Sequence, residues 1–350
     1  MKLDERTPDV EPGSGTAATG PLIRLASVPG PLGPLLSAAR DTRPTVADGL
    51  ELAERMAADL GRASTRDLWE ALATVAATDL GAARAAEPHL DAAGILDEAG
   101  LPLPSGRYGV FAAEGGGDPL VAEEADAGWT LTGTKPWCSL AGSLDRALVT
   151  ARSPDGARRL FDVGLRSGGV TVDPSAWVAR GLTEIPSGPV RFDHVIAVPV
   201  GGPGWYLERP GFARGGIGVS ACWFGGAVAI GRTVHAAAAA KTTPILSAHL
   251  GAIDVALQDA RRALDEAATL IDDRAEIDPS LLAKRVRTSV VDACEEVLLR
   301  AGHALGPAPL ALDAAHAKRV ADLQLYIRQH HAEVDLASLG DDLAAQSTPW

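Results

Sequence analysis

Cysteine is scarce in this 350-residue chain: Cys138, Cys222 and Cys294 stand far apart, with no Cys-x-x-Cys pair. Neither a disulfide framework nor a structural zinc site is suggested, and a reducing compartment fits best. Lysine is also rare, five residues against twenty-seven arginines. With the many alanines and glycines this reads as the coding bias of a GC-rich bacterial genome and says nothing about mechanism. No basic cluster offsets the formal charge of −13, which argues against nucleic acid, because phosphate binding needs a concentrated basic surface. No uninterrupted stretch of about 20 apolar residues occurs. Met1-Lys2-Leu3-Asp4-Glu5-Arg6 leads into no apolar h-region, so a cytoplasmic protein without membrane insertion is expected.

What is present divides the chain into four stretches. Residues 1–43 carry Pro12, Gly13, Gly15, Gly20, Pro21, Pro29, Pro31 and Pro34 without helical period, which predicts a loose lead-in. Residues 44–104 read as a helical domain. Leu50, Leu52, Ala53, Met56, Ala57 and Leu60 recur at three and four, Ser64 opens a second helix, and Ala82–Ala99 forms a third that Gly100 stops. Over 105–205 the grammar changes to short apolar runs split by Gly, Pro, Asp and Ser, the pattern of a small antiparallel sheet or barrel. Over 206–350 it returns to helix. Runs 214–240, 245–272, 279–304 and 314–339 predict a four-helix bundle, with Asp278-Pro279 as an Ncap and N1 pair. The fold class is therefore α+β: helices, a β-rich middle, helices.

The segment Trp129-Thr-Leu-Thr-Gly-Thr-Lys-Pro-Trp-Cys-Ser-Leu-Ala-Gly142 resembles the strand pair that meets the flavin in acyl-CoA dehydrogenases. Arg180 to Pro199 resembles that family's strand running into a closing Val-Pro, and His89 to Gly100 resembles the end of its N-terminal helical domain. The likeness spans about residues 45–345. It implies FAD as cofactor, with Trp137 beside the ring and Ser139 hydrogen-bonding its polar edge. It also implies cofactor contacts from Phe111, Ala113, Gly116, Gly117 and Cys138, and Arg214 at the mouth of the substrate cleft. A homodimer or homotetramer follows from the family's shared dinucleotide sites, and Gly215, Gly216, Gly218, Gly225 and Gly226 suit close helix packing.

The chain departs from the family where the chemistry is done. Counting eight residues from Asp322, where the family carries its catalytic glutamate, reaches His330; the alternative position, before the first-helix arginine, is Ala213. A neutral imidazole is a competent base near neutral pH, and Glu333 one turn further could orient or replace it. The dinucleotide contacts are reduced as well, to Ala113-Glu-Gly-Gly-Gly-Asp118, to Lys241-Thr-Thr-Pro244, and to Gly302 with Gly306. Three readings stay open: α,β-dehydrogenation of an acyl thioester with His330 or Glu333 as base; a flavin monooxygenase supplied by a reductase partner; and a scaffold subunit without cofactor.

Overall fold

The computed structural model describes residues 21–40, 43, 45–115, 117–126 and 128–348. Four helices come first: α1 (Pro34–Ala39), α2 (Val46–Ala57), α3 (Thr65–Thr78) and α4 (Leu80–Glu98). The last three are capped in turn by Thr45, Ser64 and Asp79, whose side-chain oxygens accept from the N–H groups of Asp48, Asp67 and Ala82. The loose lead-in expected over residues 1–43 is corrected over 21–40, the rest of it lying largely outside the described residues. Leu25, Leu35 and Leu36 are fully buried. Two carboxylates of α3 hold this segment: Glu70 accepts from the Leu25 N–H at 2.7 Å, and Asp67 from the N–H groups of Leu35 and Leu36 at 2.8 and 3.0 Å. The N–H of the extended Leu25 and the free N–H groups of the first turn of α1 are thus satisfied by side chains.

Seven strands follow: β1 (Tyr108–Phe111), β2 (Val121–Ala125), β3 (Gly128–Lys135), β4 (Arg146–Arg152), β5 (Arg158–Gly164), β6 (Val170–Val172) and β7 (Val190–Val200). Pairs β2–β3, β3–β7, β7–β5 and β5–β4 are antiparallel, and Val121 of β2 meets Arg152 of β4 in parallel, which closes the ring. The sheet expected to be antiparallel is therefore mixed. The β2–β3 hairpin lies between β1 and β4 in the chain and returns it to the same end, so β4 runs parallel to β1.

The remaining helices are α5 (Trp205–Glu208), α6 (Gly211–Ala240), α7 (Pro244–Asp272), α8 (Pro279–Leu305), α9 (Pro307–Leu312), α10 (Ala314–Tyr326) and α11 (Glu333–Ala344). By length and composition α6 could cross a membrane, but 78% of its most apolar window is buried between its neighbours, the position of a central core helix. Its glycines are used within the chain. A Cβ on Gly225 would stand 2.2 Å from the Ala73 carbonyl of α3, so the helix backbones touch there. The fourth long helix, expected over 314–339, is broken. After α10 the chain makes a short 3-10 turn at Ile327–Gln329, His330 is extended, and Ala332, at φ +47°, stands immediately before α11.

Contacts along α10 tie the barrel to the bundle, among them Lys318 Nζ at 2.6 Å from Glu184. Asp322 of α10 accepts from the Leu182 N–H at 2.6 Å and from Lys318 Nζ at 2.6 Å. Gly181 lies so close to α10 that a Cβ would meet the Ala321 carbonyl at 2.0 Å. The barrel loop and α10 are thereby held in fixed register.

Candidate functional site

The turn after β3 carries Trp137, Cys138 and Ser139. Trp137 takes φ +60° and leaves its ring 59% exposed. The turn is pinned by Cys138 N–H to the Gly188 carbonyl at 3.0 Å and Leu140 N–H to the Pro186 carbonyl at 2.8 Å. Cys138 is buried, its thiol donates to the Lys135 carbonyl at 3.2 Å, and burial pushes it up to about 12, so it is a packing residue and no nucleophile.

Ser139 does not present a free hydroxyl. Ser187 Oγ has two acceptors in reach, the Ile185 carbonyl at 3.0 Å and Ser139 Oγ at 2.7 Å; when it donates to the carbonyl, Ser139 donates to it, and Arg84 Nη2 donates to Ser139 at 2.9 Å. The unengaged donor at this edge is Arg84 Nη1, buried and without a hydrogen-bond partner. It sits 3.7 Å from Glu87 Oε2, an ion-pair distance too long for a hydrogen bond.

Arg84 and Glu87 lie one turn apart on α4 and face inward between α6, α8 and α10. The Arg84 guanidinium stands 5.6 Å from the centre of the Tyr326 ring, Tyr326 meets Trp223 edge-on at 6.2 Å, and Arg287 covers Trp223 at 4.7 Å. Arg287 donates to the carbonyls of Gly216 and Gln329 at 2.6 and 3.2 Å. Burial pushes the Glu87 carboxyl up to about 7, with Arg84 pulling it down, Asp91 adding to the rise, and Arg287 pulling it down again.

Glu87 also lines a cleft of about 790 Å³, walled by Leu68, Trp69 and Leu72 of α3, Leu90 and Asp91 of α4, and Arg214, Ile217 and Gly218 of α6. The indole Nε1 of Trp69 is buried without a partner. Arg209 neutralises the outer acids, at 2.8 Å from Glu98 and 3.5 Å from Asp91. The cleft thus combines apolar walls with a strongly charged lining that also includes Asp97 and Arg274.

The other expected residues are placed less favourably. Phe111 is buried in the barrel core, and Ala113 and Gly117 are exposed; Gly116 lies outside the described residues. Glu114 in that loop pairs with Lys135 and Arg158, both at 3.2 Å, so those cations hold the loop. His330 is buried. Its Nδ1 accepts from the Ala332 N–H at 3.2 Å, its Nε2 lies 3.1 Å from Thr288 Oγ1, and it is not among the residues lining the cleft. Glu333 is exposed at the start of α11, and Asp335 takes the expected place beside His330, 3.7 Å from Nε2. The helix break is the cause: the one-turn spacing from 330 to 333 requires an unbroken helix. Sequence reading passed over Arg84 and Glu87, although two charges on a face otherwise made of Ala82, Ala83, Ala86 and Leu90 were the available signal.

No family model and no curated protein matches the chain. Among solved structures, butyryl-CoA dehydrogenase from Megasphaera elsdenii matches with a TM-score of 0.74 at 17% identity, over 91% of this chain and 100% of that one. A glutaryl-CoA dehydrogenase from Mycobacterium smegmatis, in complex with FADH2, gives 0.74 at 14%, over 89% and 90%. The dibenzothiophene monooxygenase TdsC from Paenibacillus sp. A11-2, with FMN and indole, gives 0.72 at 17%, over 87% and 91%. The chain has the acyl-CoA dehydrogenase fold. At these identities the likeness establishes the fold, and reactions must be argued from the site.

Proposed function

We propose that this chain is a flavin-dependent oxidoreductase that acts on a small molecule in the α3–α4–α6 cleft, and that its reaction is oxygenation with reduced flavin. The fit of the flavin rests on the exposed Trp137 and on the buried Arg84 Nη1, which has an ion-pair neighbour in Glu87 but no hydrogen-bond partner. Trp137 would face the ring and Arg84 its polar edge. A bound flavin supplies two-electron redox chemistry and, when reduced, reaction with dioxygen. The observation that carries the reaction type is His330: both ring nitrogens are engaged within the protein, so the position that would supply an α-proton base offers none. A reductase partner and a homo-oligomeric state belong to the same proposal.

The test begins with the absorption spectrum of the purified chain mixed with FMN or FAD, the bound flavin being released by denaturation and identified by mass. Indole, reduced flavin and isotopically heavy dioxygen are then supplied together. Heavy oxygen in an indole product supports oxygenation. Reduction of the flavin by butyryl-CoA without oxygen incorporation would replace it with the second reading.

That second reading is dehydrogenation of an acyl thioester with FAD. It is favoured by Arg214 lining an apolar-walled cleft and by Glu87, a carboxyl of suitable strength in that cleft. Failure to bind either flavin at high concentration would leave a scaffold role.

A further inference from the structure

We propose that Arg84, steered by Glu87, is the residue that positions the polar edge of the bound flavin, in place of Ser139. The inference rests on the flavin reading above and concerns which group of this chain meets the cofactor.

Hydrogen-bond direction decides between the two. In the arrangement that satisfies both contacts of Ser187, its proton goes to the Ile185 carbonyl and the single proton of Ser139 goes to Ser187, while Arg84 Nη2 fills an acceptor site of Ser139. The Ser139 backbone N–H is directed to the Trp137 carbonyl at 3.2 Å. What remains at this edge is Arg84 Nη1, a cationic donor with no hydrogen-bond partner. A buried donor without a partner costs stability, and a carbonyl oxygen or ring nitrogen supplied by a ligand removes that cost.

Arg84 also spans two environments. One nitrogen touches the barrel turn that carries Trp137, and the other faces Glu87, which lines the cleft. The groups facing Glu87 are Arg84 and Asp91 on α4, Arg287 on α8, Cys222 on α6, Tyr326 on α10 and Tyr206 on α5, the last a phenol that burial pushes up and keeps neutral. Burial pushes the Cys222 thiol and the Tyr326 phenol well above their ordinary ranges, so both are neutral at physiological pH. Asp91 is held by Arg209. The charge on Glu87 therefore sets the charge balance around Arg84: when Glu87 is neutral, Arg84 presents its full positive charge to an electron-rich edge, and when Glu87 is ionised the pair is close to neutral. Proton uptake by Glu87 should tighten flavin binding.

The experiment is FMN binding followed by flavin fluorescence and by the shape of the visible band, with the full chain between about pH 6 and 8. Wild type is expected to bind more tightly on the acid side, and Glu87→Gln to bind with little pH dependence. Arg84→Met should weaken binding roughly tenfold, the value of one charge-assisted hydrogen bond, and shift the band. Arg84→Lys should recover part of the loss while keeping the charge, which covers the case in which the methionine variant misfolds by circular dichroism. Ser139→Ala should change affinity by no more than about threefold, since a neutral hydrogen bond is worth less. Wild-type affinity and spectrum in folded Arg84→Met, or an unaltered pH profile in Glu87→Gln, would overturn the inference and leave the flavin reading standing. Absence of FMN binding to wild type at every pH would overturn both.

Discussion

His330 Nε2 lies 3.1 Å from Thr288 Oγ1, while its Nδ1 accepts the Ala332 N–H. Thr288 itself donates to the Lys284 carbonyl at 2.8 Å, so the imidazole is held as the Nε2–H tautomer donating into the hydroxyl. This one ring joins the turn at Ala332 to Thr288 on α8. His330→Ala is expected to lower stability by about 1–2 kcal/mol and Thr288→Val by a similar amount. The double variant should cost less than the sum, because both remove the same bond. Urea denaturation with two-state analysis measures all three. Flavin affinity and turnover per bound flavin should stay within twofold or so of wild type; loss of turnover with intact flavin binding would return His330 to the chemistry.

Stability should depend on pH through His89 and His330, with Glu87 acting in the opposite sense. His89 Nδ1 accepts from the Tyr108 N–H at 3.1 Å, and burial lowers the pKa of both histidines. The folded chain therefore binds fewer protons than the unfolded chain between the lowered values and the ordinary histidine value of roughly 6.5. Their contribution is fully present above that value and is lost as the pH falls through this window. Glu87, pushed up to about 7, binds a proton in the folded state that the unfolded chain has released, so stability falls as pH rises from the ordinary carboxylate range to about 7. His89→Gln should flatten the acid limb and Glu87→Gln the neutral one in unfolding midpoints measured against pH. Profiles parallel to wild type in both variants would show that neither group titrates as argued.

Most of the fold could be read from the sequence where local chemistry and packing agree. Ser64 and Asp278-Pro279 open helices as expected, because caps are local signals, and the Gly-rich, β-branched runs of the middle segment form strands. β2 escaped notice because only Ala122 of its five residues is buried, so no alternation marks it. The break after Tyr326 is invisible for another reason. Ile327-Arg-Gln-His-His-Ala contains no Gly or Pro, and what ends the helix is the tertiary capture of His330 by α8. At the candidate site, Trp137 and Ser139 were picked out by resemblance, but the direction of the Ser139 hydrogen bond depends on Ser187 and Arg84, 48 and 55 residues away. No local pattern encodes that.

The two tryptophans of the barrel edge should separate function from stability. Trp129 is half-buried, packs on Phe161 at 5.5 Å between ring centres, and is covered by Arg159 at 5.1 Å. Trp129→Ala is expected to cost about 1–3 kcal/mol from lost burial and ring contacts. Trp137 is largely exposed, so Trp137→Ala should cost less than about 1 kcal/mol, and alanine, having a Cβ as well, leaves the left-handed backbone strain in place. FMN quenching should show the reverse order, with affinity reduced in Trp137→Ala and retained in folded Trp129→Ala. Equal FMN affinity in wild type and both variants would remove Trp137 from the cofactor face.

The contact between α3 and α6 offers the sharpest test of how the cleft is built. α3 supplies Trp69 and Leu72 to the cleft wall and α6 supplies Ile217 and Gly218, so the spacing of these helices fixes the width of the cleft. That spacing is set further along, at Gly225, where an added Cβ would stand 2.2 Å from the Ala73 carbonyl and 2.8 Å from the Ala76 Cβ. Both neighbours are backbone or methyl groups and cannot turn aside, so Gly225→Ala must push the helices apart. Overpacking of this kind costs typically 1–3 kcal/mol, against which the gain in helix propensity of alanine over glycine is about 1 kcal/mol. A net loss of stability is expected, together with weaker binding of any cleft ligand. Gly251→Ala is the control: it lies within α7 with nothing within 4 Å of the added methyl, so helix propensity alone should make it neutral or stabilising. Thermal unfolding of the two variants side by side decides the matter, since a Gly225→Ala protein as stable as Gly251→Ala would mean that α3 and α6 do not meet backbone to backbone and that the cleft is not held at this width.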